Sequence, residues 1–542
     1  MQLQNLFFHF QREQFPFHGG LGLIGGGLIL DSGEADPSFM YRCQDRYFVY
    51  TSLFGMRSLF LVMNQAHESL YKQNVQELRA ALSTLQRHTG IKLFDILAEP
   101  LYLTYDANTN RVSVDHHFIT QFRQSGLSQL AAIYANQISP SCAELIEQLS
   151  EQLSVHNIKH NFDSSAYRRA AALASRFHDK QAYFELIARS AATQTVGHTP
   201  TLLIDEQKLL TLDSWEKIYH LAIEHGVLDA SSKPKLFIKS TLDSGGNTSA
   251  VLSPDDFQAQ YSRLRQAIRQ GVHLSDTPFD VALQALQGVI ADSAALSQVP
   301  GVAARTNDWL SAWMQNRRSK SVRYLLQRCI AGLPQAPGAL PSGVGFSLFI
   351  DQDKNVNLIA IAGQIYSDIE RKHHLGSLLS TRLEQTALSV CKMSALKKLC
   401  QLFADEGYRG PISFDAVLNE RHEYEFIYDC NPRLTAVMPS LAVKTASTRL
   451  GYTVESIINL DYRGRFLFPD LAAVLRRLKR DGLLFTASHP RGLLILPNIA
   501  RKHGYDILLV NLEQDEALEA MRHSIFNDNF DIDKGRIDTL HL

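Results

Sequence analysis

Charge of either sign is scarcely left over in this sequence. Lysine and arginine number 54 against 55 aspartates and glutamates, a formal charge of −1 over 542 residues. Without a basic excess there is nothing to release the counterions of a nucleic acid, so bulk binding to DNA or RNA is excluded. Long apolar runs are missing as well. The most apolar stretch, residues 19–30 (GGLGLIGGGLIL), is twelve residues long, whereas a membrane span needs about 20. No basic segment leads into an apolar stretch near residue 1, so no export signal and no membrane partner are expected. Cysteine is scarce: Cys43, Cys142, Cys329, Cys391, Cys400 and Cys430, with no C-x-x-C pair. Zinc-site spacing is therefore absent, a disulfide framework is not expected, and a reducing, cytoplasmic location is the natural expectation. Internal repeats and low-complexity tracts are lacking too.

What is present is a globular composition, 45% hydrophobic and 20% charged. The length suggests three or four domains at about 100–200 residues each. Residues 46–54 read as a strand by their aromatic and β-branched content. Residues 73–87 read as a helix, with Val75, Leu78, Leu82 and Leu85 at helical spacing, and a further helix is expected over about 141–153. The polar stretch 154–164 is a boundary candidate. Helices dominate from about 165 to 230; short strands follow at 235–239 and 323–329. Further strands are expected at 345–350, 356–361, 412–418 and 424–430. From 451 onward helix and strand alternate. Such blocks argue α+β or α/β in several domains.

Gly20, Gly22 and Gly25 match the G-x-G-x-x-G string of dinucleotide folds. The chemistry needs a strand before the glycines, a helix after them, and an acidic residue about 20 positions on. Gly26, Gly27, Leu28, Ile29 and Leu30 follow instead, so a glycine-rich turn or a packed strand is the expectation.

The most informative segment is residues 407–439, GYRGPISFDAVLNERHEYEFIYDCNPRLTAVMP. It reads as a hairpin with strands 414–418 and 424–430 around the turn 419–423. A turn centred on His422 sets Asp415 opposite Asp429 on one face, and Asn431, two residues on, shares it. Facing like charges are unfavourable unless a cation joins them, and an all-oxygen set of this kind suits Mg²⁺ beside phosphates. Two solvated aspartates repelling weakly is the plainer alternative. Lys239 ends a strand and leads into Ser244, Gly245, Gly246 and Asn247, a loop whose backbone N–H groups suit phosphate oxygens; an ordinary turn is the alternative. The apolar strand 325–330 ends in polar residues, including Gln327 and Arg328, before a Pro/Gly-rich stretch, and could present backbone groups to a purine.

These residues resemble the ATP-grasp superfamily. The hairpin, with its carboxylate and then acidic residue, one residue, Asn, Pro and Arg, is similar to the corresponding segment of biotin carboxylases and D-alanine–D-alanine ligases. The order lysine, glycine loop, hinge, metal hairpin matches as well. The flanks resemble, more weakly, those of pheganomycin-type peptide ligases. The resemblance implies an ATP-grasp fold over 166–450, with a lid over about 231–330 and a helical insertion over about 255–320. A pre-ATP-grasp-like domain over 1–165 would precede it and an α/β extension over 451–542 would follow. The insertion fits a substrate lid, a homodimer contact or a structural addition. By resemblance, Asp415, Asp429 and Asn431 would hold Mg²⁺ against ATP, with Lys180 and Lys239 on the nucleotide. Ser244, Gly245, Gly246 and Asn247 would cover the phosphates, Gln327, Arg328 and Ile330 would form the adenine hinge, and Arg433 would face the reacting carboxylate. Asp429 stands where glutamate is usual, and no glutamate follows the hinge, so no ribose ligand is assigned.

The implied activity is ATP-dependent joining of a small-molecule carboxylate and an amine, amino acids or peptides, through an acyl-phosphate. Lys239 and Arg433 would act on developing anions. Biotin-carboxylase-like use of bicarbonate, and a non-catalytic ATP sensor or scaffold, are the alternatives. Arg371 and His374, in a basic loop after a strand, are candidates for the acceptor substrate, with a solvated loop as the alternative reading. The cluster Arg476, Arg477, Lys479 and Arg480 lies on an amphipathic helix and reads as a solvated face rather than a nucleic-acid contact.

Overall fold

The computed structural model describes residues 19–22, 53, 58–64, 68–92, 99–106, 111–124, 129–130, 133–134, 140–160, 164–190, 197–229, 235–241, 250–262, 264–265, 323–329, 341–351, 353–366, 374–433, 435, 437–460, 470–497, 505–521 and 523. Three sheets carry most of the architecture. The first is built from β1 (Gly19–Gly22), β2 (Ser58–Asn64), β3 (Glu99–Asp106), β4 (Arg111–Ser113) and β6 (Ile133–Tyr134), in the order β4-β3-β2-β1-β6. Its pairs are parallel except β3 with β4. A small parallel pair, β5 (Gln129–Leu130) and β7 (Lys159–His160), stands apart. Gly20 and Gly22 lie inside β1 itself, so the glycine string is a packed strand at its start rather than a loop after one.

The second sheet is antiparallel and comprises β8 (Thr201–Asp205), β9 (Leu236–Ser240), β10 (Ala250–Leu252) and β11 (Arg323–Arg328), ordered β10-β9-β11-β8. β8 falls in the stretch where helices were expected to dominate. Its TLLID run is short and apolar, and only its pairing with β11 decides between strand and helix.

The third sheet has eight strands: β12 (Gly343–Ile350), β13 (Val356–Tyr366), β14 (His374–Ser380), β15 (Gly410–Leu418), β16 (Tyr424–Asn431), β17 (Ser456–Leu460), β18 (Gly492–Pro497) and β19 (Tyr505–Val510). The order is β16-β15-β12-β13-β14-β17-β19-β18, antiparallel throughout. Strands from both sides of residue 450 therefore share one sheet through the β14–β17 pair. The helix Glu68–Thr89 joins the same core: Val75, Leu78, Leu82 and Leu85 are buried with Leu475, Leu478 and Leu493 to Leu496. Its expected helical stripe is the face that packs. The basic helix Leu471–Arg480 buries Val474, Leu475 and Leu478, while Arg477 and Arg480 pair with Asp481, as a solvated face would.

One apolar core lies directly beneath the candidate site. Phe177, Tyr183, Phe403 and Phe414 are each fully buried. Phe403 is the hub, with ring centroids 4.7 Å from Phe177, 5.4 Å from Tyr183 and 5.2 Å from Phe414. The cluster ties the helices Ser164–His178 and Lys180–Arg189 to the back of β15 and β16. Phe403→Ala is expected to destabilise the protein by about 3–5 kcal/mol, because a cavity replaces three ring contacts. Urea unfolding checks this, and a loss under about 1 kcal/mol would show that the core collapses around the gap.

Candidate functional site

The hairpin forms where the sequence predicts it, β15 and β16 flanking the turn at residues 419–423. Its register is less simple than one centred on His422. Ser413 pairs with Asn431 and Phe414 with Cys430, but nearer the turn Ala416 pairs with Phe426 and Leu418 with Tyr424. The mismatch is absorbed in a bulge opposite Asp415, where Tyr428 adopts a positive φ of 52°. Asp415 is thus not in a regular pair with Asp429. Alternation still holds along β16: Tyr424, Phe426, Tyr428 and Cys430 are buried, while Glu425, Ile427, Asp429 and Asn431 line the other, half-exposed face.

Two lysines reach Asp429 from separate elements. Lys180 opens the helix Lys180–Arg189, whose N-cap Asp179 accepts from the Gln181 backbone N–H at 3.0 Å. Its Nζ lies 3.8 Å from Asp429 Oδ1. Lys239, on β9, places Nζ 3.4 Å from Asp429 Oδ2 and donates to the Ile427 carbonyl at 2.8 Å. Both lysines are buried. Burial depresses the Lys239 ammonium below the ordinary lysine range, against the pull of Asp429. Arg433 follows a tight turn, and its guanidinium donates to Asn431 Oδ1 at 3.2 Å. Burial, and then the charge of Asp429, push the Asp415 carboxyl up to about 7; Lys239, Lys180 and Arg433 oppose that rise.

The sequence reading missed two polar side chains on this floor. Gln364 Nε2 donates to Asp415 Oδ1 at 3.0 Å, and the Tyr366 hydroxyl donates to Gln364 Oε1 at 2.5 Å. They belong to β13, which runs five residues beyond the strand expected to end at 361. The polar-x-polar spacing of Gln364 and Tyr366 was the available signal, for it continues a strand with one face toward the site.

The bulge also aims the Ile427 carbonyl at the four-stranded sheet. Besides Lys239, it accepts from Gln327 Nε2 at 3.2 Å, and the same nitrogen donates to Thr201 Oγ1 at 2.9 Å. Arg328 NH2 pairs with Glu425 at 3.1 and 3.2 Å, and Asn419 Nδ2 donates to Glu425 at 2.7 Å. Gln327 and Arg328, expected at a purine hinge, thus stand at the seam of the two sheets with their side chains engaged by β16 and β8. Glu425, missed from sequence, is the acid of that seam. Thr199 Oγ1 and Arg328 Nε are buried there without hydrogen-bond partners among the described residues.

Ser244, Gly245, Gly246, Asn247, Ile330 and Arg371 lie outside the described residues, as does most of the expected insertion. His374 is placed by its backbone alone, paired with Tyr366 at the start of β14. The fold brings together Asp415, Asp429, Asn431, Lys180, Lys239 and Arg433. Among the described residues no group of three or more His, Cys, Asp or Glu could hold a metal ion. Here the oxygen set is two carboxylates and an amide, which suits Mg²⁺ completed by waters and a phosphate ligand. Two buried lysines beside that set suit the phosphate itself. Both groups fit the residues present. Among the described residues no helix is long and apolar enough to cross a membrane.

No protein-family model and no curated protein matches the chain. Solved structures do overlap it along nearly its whole length. Biotin carboxylase from Campylobacter jejuni, in complex with β,γ-ATP, is 12% identical, with 95% of this chain and 91% of that chain covered and a TM-score of 0.40. An L-amino acid ligase from Bacillus licheniformis is 9% identical, covering 96% and 98%, with a TM-score of 0.40. N5-carboxyaminoimidazole synthetase from Staphylococcus aureus, complexed with ADP, is 8% identical, covering 94% and 97%, with a TM-score of 0.41. Likeness at this level is one of outline, and the functional reading falls to the side chains.

Asp415 generates a pH dependence with a definite sign. Its folded value is raised, so its contribution to stability is fully present below its ordinary value of 3.8 and lost as pH rises through about 7. With a chelator present, Asp415→Asn is expected to melt above the wild type at pH 8, the gap closing toward pH 4. Thermal denaturation across that range checks it; equal melting temperatures at pH 8 would show that Asp415 carries no such penalty.

Proposed function

We propose that this chain is an ATP-grasp ligase that joins a carboxylate to an amine at the expense of ATP. One observation carries the reading: Lys180, Lys239 and Arg433, from neighbouring elements, converge on the sheet face that carries Asp415, Asp429 and Asn431. Oxygen donors for a divalent cation stand beside fixed positive charge for phosphates, and no side-chain nucleophile is needed. Mg²⁺, when bound, neutralises phosphate charge.

The chain's own residues do the rest. Asp415, Asp429 and Asn431 would hold the cation, and the Arg433 guanidinium donates to the Asn431 amide oxygen beside it. Lys239 and Lys180, kept apart from water by burial, orient the phosphates and stabilise charge on the transferred group. A carboxylate oxygen attacks the γ-phosphorus, its bond to the bridging oxygen breaks, and ADP leaves with an acyl-phosphate formed. The amine nitrogen then attacks the acyl carbon, inorganic phosphate leaves, and the nitrogen sheds a proton as the amide forms. Arg433 faces the acyl-phosphate oxygens in this scheme. Arg371 and His374 would supply the acceptor side, and Ser244, Gly245, Gly246 and Asn247 would cover the phosphates. Gln327, Arg328 and Ile330 would receive the adenine; Thr199 Oγ1 and Arg328 Nε, near Gln327, lack hydrogen-bond partners among the described residues. Amino acids or peptides are the substrate class, and a cytoplasmic site of action accords with the scarce cysteines.

Phosphate release is the test. With Mg²⁺–ATP it is expected only when a carboxylate and an amine are both supplied from amino-acid pools, with an equimolar amide seen by mass spectrometry. Release driven by bicarbonate alone, or ATP binding without release, would overturn the reading. Lys239→Met is expected to cut the turnover number about 100- to 1,000-fold. Asp429→Ala with Asn431→Ala is expected to abolish Mg²⁺-dependent nucleotide binding, and binding that survived unchanged would refute the cation assignment.

A further inference from the structure

The face that carries Asp415 holds a second polar arrangement. Between β13 and β15 lies β12, so Gln364 and Asp415 stand on strands two apart, about 10 Å across the sheet. Gln364 nevertheless reaches Asp415 Oδ1 at 3.0 Å. It can do so because the intervening strand offers glycine there. Gly345 pairs with Asp415 on one side and Ala362 on the other. A Cβ on Gly345 would stand 3.3 Å from Asp415 Oδ1, and one on Gly343 would stand 2.9 Å from Gln364 Oε1 and 3.3 Å from the Tyr366 hydroxyl. The second of these is closer than real Cβ atoms come to a neighbour. The chain of hydrogen bonds also has a direction. Tyr366 donates to Gln364 Oε1, which leaves Gln364 only its amide N–H groups to offer Asp415. One carboxylate oxygen is thereby engaged, and Asp415 is fixed about its side-chain torsion.

We propose that Gln364 is a positioning residue for Asp415, held in one amide orientation by Tyr366 and given its path by Gly343 and Gly345. The inference rests on the Mg²⁺–ATP reading above and deepens it. Gln364 would touch neither cation nor nucleotide. It engages Oδ1 and leaves Oδ2 for the cation that Asp415 would hold. Outer partners of metal-binding carboxylates commonly govern affinity in this way.

The test is Mg²⁺-dependent ADP binding by the full chain, followed by calorimetry over a Mg²⁺ series, a readout independent of ligase turnover. Gln364→Leu keeps the bulk and removes the donor; Tyr366→Phe removes only the hydroxyl that orients the amide. The half-saturating Mg²⁺ concentration is expected to rise about 10- to 100-fold for Gln364→Leu and by a smaller factor for Tyr366→Phe. ADP binding without Mg²⁺ should stay at the wild-type level in both. Should Gln364→Leu fail to fold, Tyr366→Phe carries the test. A wild-type protein with clear Mg²⁺ dependence, and variants within twofold of it, would overturn the inference while leaving the parent reading intact. A wild-type protein whose ADP binding ignores Mg²⁺ would overturn both.

Discussion

Two carboxylates held on one face of a sheet are the constraint around which the rest of this site is arranged. Burial, and then the charge of Asp429, raises the cost of ionising Asp415. Nothing in the hairpin alone relieves that cost. The relief arrives from outside it: Lys180 from a helix N-terminus, Lys239 from another sheet, Arg433 from the turn after β16, and Gln364 across β12. Two carboxylates among three cationic side chains leave a net positive site, which suits a divalent cation only when polyanionic phosphates accompany it. That asymmetry is the physical content of the ligase proposal.

The bulge in β16 serves the same constraint. A regular hairpin would bury the Ile427 carbonyl in the ladder. The extra residues and the positive φ of Tyr428 turn it outward instead. It then accepts from Lys239 and Gln327, so this backbone oxygen joins the Arg328–Glu425 and Lys239–Asp429 pairs in docking the four-stranded sheet on the hairpin. Beneath, the rings around Phe403 hold the helix that begins at Lys180 against the back of the same hairpin. Lys180 and Lys239 thus converge on Asp429 by two routes, one through an aromatic core and one through a strained strand.

How much was legible beforehand depended on the range of the interactions. The hairpin, its turn at 419–423 and the common face of Asp429 and Asn431 follow from alternation, a local rule. The bulge does not, because a run such as YEFIYDCN alternates well with or without it. Gln364 and Tyr366 escaped notice because β13 was expected to stop at 361, and their meaning comes only from β12 and β15 beside them. β8 was lost among helices because five apolar residues carry no period of their own. Gln327 and Arg328 were recognised as a strand end, but not as partners of Thr201, Ile427 and Glu425, residues roughly 100 or more positions away in the chain.

The sequence by itself determined the charge balance, the scarcity of cysteine, the metal-type hairpin and the residue types of the site, since these are properties of composition and short-range period. Only the tertiary structure decided that Lys180 and Lys239 meet at one aspartate, that strands from both sides of residue 450 build one sheet, and that two glycines clear a path from Gln364 to Asp415. Each of these is a juxtaposition across strands or sheets. Pairing between segments far apart in sequence is set by the burial of whole faces at once, and no window of neighbouring residues contains that information.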